Sequence, residues 1–130
     1  MVTLLTTLGA VVRYKIPHRF DQGYGLNKDV VQLIQEGNVG LLITLDCGVT
    51  NVEEITFIKD KTKVPIIVMD HHQLPDVLPP FDVMLNPKEL EPEHALFHLC
   101  TAGIVYKFVE YVSASHKEMD VKDFLDFINI

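Results

Sequence analysis

Two short apolar runs constrain this chain most. Leu41-Leu42-Ile43-Thr44-Leu45 and Val64-Pro65-Ile66-Ile67-Val68-Met69 are each of strand length, and a helical pattern lies between them. A run that does not alternate with polar residues suits a strand covered on both faces. Strands joined through a helix run parallel, with right-handed crossovers. The alternation continues in both directions. Val11 to Ile16 reads as a short strand stopped by Pro17. Asn27 can cap a helix whose apolar positions are Val30, Val31, Leu33 and Ile34, ending at Gly37. Thr50 to Glu53 has the capping-box form and opens a helix with Val52, Ile55 and Ile58 inward. After the Pro79-Pro80 break, Phe81 to Leu85 is a short strand. Val105, Phe108, Val109 and Val112 mark an amphipathic helix, and Asp120 caps a last one carrying Val121, Phe124, Leu125 and Ile128. The expected fold class is α/β, a parallel β-sheet flanked by helices.

The 130 residues fit one domain, or part of one, and can bury a real core. No apolar stretch approaches the ~20 residues a membrane span needs. Met1 to Val12 lacks a basic leader and a clear small-residue cleavage site, so it does not read as a signal peptide. Two cysteines, Cys47 and Cys100, do not make a secreted disulfide framework. A reducing, cytoplasmic setting is expected. The net charge of -7 argues against broad nucleic-acid affinity. Arg13, Lys15, His18 and Arg19 nevertheless form a small basic segment where a local anion site can exist.

The strand runs end on polar residues. The first stops at Asp46-Cys47-Gly48, the second at Asp70-His71-His72. Ligands of parallel sheets gather at the carboxyl ends of the strands, so both endings can share one crevice. Carboxylate plus imidazole, without thiolate, suits manganese, iron or zinc. Adjacent side chains on an extended segment point in opposite directions, so His71 and His72 are expected to play different roles, one as ligand and one facing substrate. A capped turn, with Asp70 on backbone amides and solvated histidines, accounts for the same tripeptide. The second strand-end aspartate favours metal. Asp46 and one or two histidines are too few ligands for a tight two-metal site, whose carboxylates bridge ions about 3.5–4 Å apart.

Several segments together resemble the RecJ family of the DHH phosphoesterase superfamily. Ile16-Pro17-His18-Arg19-Phe20-Asp21-Gln22-Gly23-Tyr24-Gly25-Leu26-Asn27 looks like its "IP-R---GYGLN" segment, and Asp46-Cys47-Gly48 is similar to its "DCG" or "DNG" motif. Asp70-His71-His72, followed by Leu74-Pro75 and Leu78-Pro79, resembles its signature motif. Asn86-Pro87-Lys88 resembles "NPK", and Ala102 to Lys107 a "GVAFK"-type helix. The resemblance implies a 5′ to 3′ exonuclease acting on single-stranded DNA in repair and recombination, hydrolysing phosphodiesters with two Mn2+ or Mg2+ ions. By the same resemblance, Asp46 bridges the two metals and His71 completes the shell of one. His72 contacts the scissile phosphate, and Asp70 orients the histidines. The full-length protein is expected to be a monomer. The family's early aspartate pair, its late aspartate and its accessory domains have no counterpart in this sequence. Residues 1–130 are therefore expected to be part of a DHH catalytic domain, with little or no nuclease activity alone. The alternatives are a DHH phosphodiesterase of cyclic dinucleotides or short oligonucleotides, and a non-catalytic replication scaffold.

Other residues admit two readings. Arg19 can bind a phosphate or form a surface salt bridge. Tyr24 can stack on a base or pack. Cys47 has no base implied nearby, so a nucleophilic role is not expected. His94, His98 and Cys100 have spacing compatible with zinc but no fourth ligand, and are read as solvated or partly packed.

Overall fold

The computed structural model describes residues 1–16, 26–27, 29–116, 119–122 and 124. Its contacts divide the chain into two units: Pro17–Thr101, and Met1–Ile16 together with Ala102–Ile130.

The first unit holds the sheet. Strands β1 (Leu42–Leu45), β2 (Ile66–Met69) and β3 (Val83–Leu85) are hydrogen-bonded in that order, both pairs parallel. Leu45 lies opposite Met69, and Met69 opposite Leu85. All three strands therefore end in register at one edge. Helix α2 (Asp29–Gly37) precedes β1, and α3 (Val52–Thr62) joins β1 to β2. The core forms where Val31 and Ile34 of α2, Ile55 and Ile58 of α3, and Ile66 and Val68 of β2 meet. Period-3 and period-4 apolar spacing on the helices meets period-2 spacing on the strand, as burial of one helix stripe and one sheet face requires. Central β2 is buried along most of its length, as its uninterrupted apolar run predicts. β1 is an edge strand among the described residues, and Leu45 is 40% exposed.

Asp82 fastens the start of β2. It accepts the Ile66 amide at 2.7 Å and both oxygens meet Lys59 Nζ of α3, at 3.0 and 2.7 Å. Its own amide donates to the Ile66 carbonyl.

In the other unit, α1 (Val2–Thr7) contributes Leu4, and α4 (Thr101–Ala114), whose first residue Thr101 belongs to the sheet unit, contributes Val109 to a core completed by Phe124. Val105, Phe108 and Val112 pack against it, at the helical spacing read in the sequence. Asp120 accepts the Lys122 amide at 2.9 Å, and Leu125 and Ile128 of the expected last helix lie outside the described residues.

Two expectations are corrected. The segment 11–16 forms no strand: Val11, Tyr14 and Ile16 stand 75–95% exposed, and no described strand pairs with them. Alternating apolar residues supply strand propensity but not a partner edge. The Thr50–Glu53 capping box is also replaced. The α3 cap is Asn51, one residue on, and its side-chain amide reaches Glu54 Oε2 at 3.2 Å.

Candidate metal centre

The site is built on the shared strand edge. Asp46 follows β1, Asp70 follows β2 and Asn86 follows β3. The ladder extends into these endings, because the Asp46 amide donates to the Met69 carbonyl and the Asp70 amide to the Leu85 carbonyl. Beyond that point the chain turns sharply at β1. Asp46 adopts φ +62° and Gly48 φ +118°. A Cβ on Gly48 would stand 2.7 Å from Thr44 Oγ1 and 3.1 Å from a Val68 methyl, so the turn needs glycine for its φ and for space.

Asp70 is the buried centre, 1% exposed. Its Oδ2 accepts the Val49 amide at 3.1 Å. Its Oδ1 accepts the amides of His71 at 2.8 Å and His72 at 3.3 Å, and lies 2.6 Å from His72 Nδ1. Burial alone would raise the carboxyl pKa. The bonds from the His72 ring and from the Val49 and His72 amides outweigh it, and the net pKa falls below the ordinary value. An ionised carboxylate only accepts, so His72 Nδ1 carries a hydrogen and Nε2 is the ring nitrogen left for another partner.

The same bonds correct one premise of the sequence reading, that the His71 and His72 side chains point apart, and leave the expectation of different roles as it was. Their ring centroids are 4.7 Å apart. Asp70 Oδ1 takes both amides and bends the backbone at the strand end, so the alternation of an extended chain no longer applies. Ligand atoms of Asp46, His71 and His72 all lie within 4.8 Å of one another. His71 Nε2 is 3.3 Å from Asp46 Oδ1. One carboxylate and two imidazoles at this separation form a donor set suited to manganese, iron or zinc, with coordination positions left for water, substrate or further carboxylates. An imidazole held through Nδ1 by a carboxylate is the arrangement that presents the other nitrogen to a metal.

Two residues not singled out from the sequence as site residues support this group. Thr101 Oγ1 donates to Asp46 Oδ1 at 2.8 Å, across 55 residues of chain. Asn86 Nδ2 donates to the His72 carbonyl at 3.0 Å, while its Oδ1 accepts the Lys88 amide. Asn86 obeys the strand-end rule that exposed Asp46 and Asp70, and that rule could have found it. No local signal marks Thr101.

The remaining candidates stand elsewhere. Arg19 and Tyr24 lie outside the described residues. The Cys47 thiol is pushed up to about 11 by burial and by the nearby Asp70 and Asp46 charges, so it stays protonated at neutral pH. His94 Nδ1 accepts the Leu96 amide, and His98 stands edge-on to Phe97. Among the described residues, neither histidine joins a group of three possible ligands. No helix of the described residues is long and apolar enough to cross a membrane.

Comparisons of sequence and of fold with known proteins agree with one another. The DHH family, N-terminal domain, matches residues 1–130. The single-stranded-DNA-specific exonuclease RecJ of Haemophilus influenzae is 34% identical over 110 residues, covering 85% of this chain and 19% of that relative. A crystal structure of exonuclease RecJ bound to manganese superposes with a TM-score of 0.70 at 34% identity, over 83% of this chain and 27% of that one. RecJ of Thermus thermophilus in complex with Mn2+ gives a TM-score of 0.63 at 28% identity, over 86% of this chain and 16% of that one. The chain thus spans about a fifth of the length of the Haemophilus relative. Matching over its whole length, and carrying Asp70-His71-His72 at a parallel strand end, the chain belongs to the DHH family and is a RecJ-like DHH domain.

Proposed function

We propose that this chain forms part of the catalytic centre of a metal-dependent exonuclease that hydrolyses single-stranded DNA from its 5′ end, in repair and recombination. The observation that carries the reading is the convergence of Asp46, His71 and His72 within 4.8 Å at the carboxyl edge of a parallel sheet. The relatives supply the reaction class, since the manganese-bound RecJ structures share this fold. Asp46 and His71 would hold Mn2+ or Mg2+, which supplies Lewis-acid polarisation of the phosphate and an activated water.

The chain's own residues do the rest. Asp70 fixes His72 in the tautomer with Nδ1 protonated. His72 would contact the scissile phosphate through Nε2, the ring nitrogen that Asp70 leaves free. Arg19 would pair with a backbone phosphate and Tyr24 stack on a base. With a net charge of -7, bound cations would help a polyanionic substrate approach this edge. Asp46 and His71 alone fall short of two metal shells, so the reading assigns further carboxylates to positions outside the described residues. Residues 1–130 would then be a partial DHH catalytic domain, inactive by itself. The intact enzyme would work as a monomer in the cytoplasm.

The test is a chimera. This chain replaces the matching segment of Haemophilus influenzae RecJ, and digestion of 5′-labelled single-stranded DNA is followed with Mn2+. Digestion by the chimera, lost in its Asp46→Asn and His71→Ala forms, is expected. A folded chimera that binds Mn2+ yet leaves the DNA intact overturns the reading.

A further inference from the structure

We propose that Thr101 is a positioning residue, holding the Asp46 carboxylate in the orientation that binds metal. The inference rests on the metal reading above and adds to it a residue that acts through Asp46.

Asp46 is poorly restrained by burial. Its side chain is 53% exposed, and a carboxylate in water samples many rotamers. Its backbone is fixed, since the left-handed φ of +62° is held by the amide bond to Met69. Thr101 supplies a tether for the side chain. It is only 8% exposed, and its hydroxyl donates to Oδ1 at 2.8 Å. A buried β-branched side chain has few rotamers, so the direction of that donor is set.

Oδ1 is also the oxygen 3.3 Å from His71 Nε2. When both groups bind one cation, His71 Nε2 must present a lone pair to it and so offers Oδ1 no hydrogen. The Thr101 hydroxyl can keep its bond throughout. It therefore holds Oδ1 facing His71 in both states and removes an ordering cost from metal binding. Partners of this kind shift metal affinity by about 10–100-fold when removed.

The experiment measures Mn2+ affinity of the chain by electron paramagnetic resonance of free Mn2+. It compares wild type, Thr101→Val, Thr101→Ser and Asp46→Asn, with metal-free thermal unfolding run in parallel. Thr101→Val should weaken binding about 10-fold. Thr101→Ser, which keeps the hydroxyl, should bind as wild type does. If valine prevents folding, Thr101→Ala takes its place. A folded hydroxyl-free variant with wild-type affinity overturns the proposal, and so does a serine variant as weak as valine. In both of those results Asp46-dependent binding persists and the metal reading survives. Binding that ignores Asp46→Asn, or a folded wild-type chain that takes up no Mn2+, overturns the metal reading of these residues and this inference together.

Discussion

Oδ1 of Asp70 lies 2.6 Å from Nδ1 of His72 and also accepts the amides of His71 and His72. A single buried oxygen thus sets both the backbone turn and the ring orientation of the tripeptide. The orientation of a candidate metal ligand and the stability of the strand end therefore depend on one residue.

That residue gives the chain an acid-sensitive element. Burial raises the Asp70 pKa and the three donors lower it further than burial raises it, so the folded value lies below the ordinary one. A depressed carboxyl stabilises fully above its unfolded pKa of about 4 and loses that contribution as pH falls through the folded value. Asp70→Asn places an amide donor against the Val49 or His72 donors, and should cost about 1–3 kcal/mol at neutral pH. It should also flatten the acid limb. Urea unfolding of chelator-treated protein across the acid range measures both. A variant with wild-type stability and an unchanged acid limb sinks the assignment.

The turn after β1 yields opposite expectations for neighbouring residues. Gly48→Ala meets Thr44 Oγ1 at 2.7 Å and forces φ +118° on an L side chain, a conformation that costs about 1–3 kcal/mol before the clash is counted. Thr44 Oγ1 itself is buried and makes no hydrogen bond among the described residues. Thr44→Val should therefore raise stability by about 1 kcal/mol, since it removes an unsatisfied polar atom. Thermal unfolding of the two variants decides it. A destabilised valine variant would mean that the hydroxyl has a partner.

Much of the sheet was legible because its signals are local. Leu42–Leu45 and Ile66–Met69 carry uninterrupted apolar runs, and the residues that end them are the ones that face each other across the ladder. Ile55 and Ile58 announced the buried face of α3 by spacing alone. The segment 11–16 misled because pairing depends on an available edge, which no residue within the segment encodes. The directions of the His71 and His72 rings were not legible because the bend is imposed by Asp70 Oδ1, a side chain acting on its own backbone. The Thr101–Asp46 bond spans 55 residues and has no periodicity to betray it.

Asp82 should act as a pH-dependent clamp on the start of β2. The Lys59 ammonium and then the Ile66 amide hold its carboxyl below the ordinary range. Its contribution is present above the ordinary carboxylate pKa and lost in stronger acid. Asp82→Ala should speed hydrogen exchange of the Ile66 amide while leaving Val68 protected, because the lost partner is local. Exchange measured by NMR gives the answer. Equal rates at Ile66 in variant and wild type would show that the strand start is held by other contacts.

Asn86 links the end of β3 to the tripeptide, and its two ends can be separated. Nδ2 donates to the His72 carbonyl at 3.0 Å, and Oδ1 accepts the Lys88 amide at 2.9 Å. Asn86 is 6% exposed, so water cannot easily replace either bond. Asn86→Ala loses both bonds. Asn86→Asp keeps an acceptor for Lys88 but sets an anion against the His72 carbonyl oxygen. At neutral pH the aspartate variant should be the less stable of the two, and below wild type by about 1–3 kcal/mol. Here the introduced carboxyl has a raised folded pKa, because burial and the carbonyl oxygen both disfavour its charge. Its penalty should therefore shrink as the pH falls and the group, once protonated, donates to the His72 carbonyl. Urea unfolding of both variants at neutral and mildly acidic pH tests the order. An aspartate variant as stable as wild type at neutral pH would rule out the Asn86–His72 bond as a support of the site.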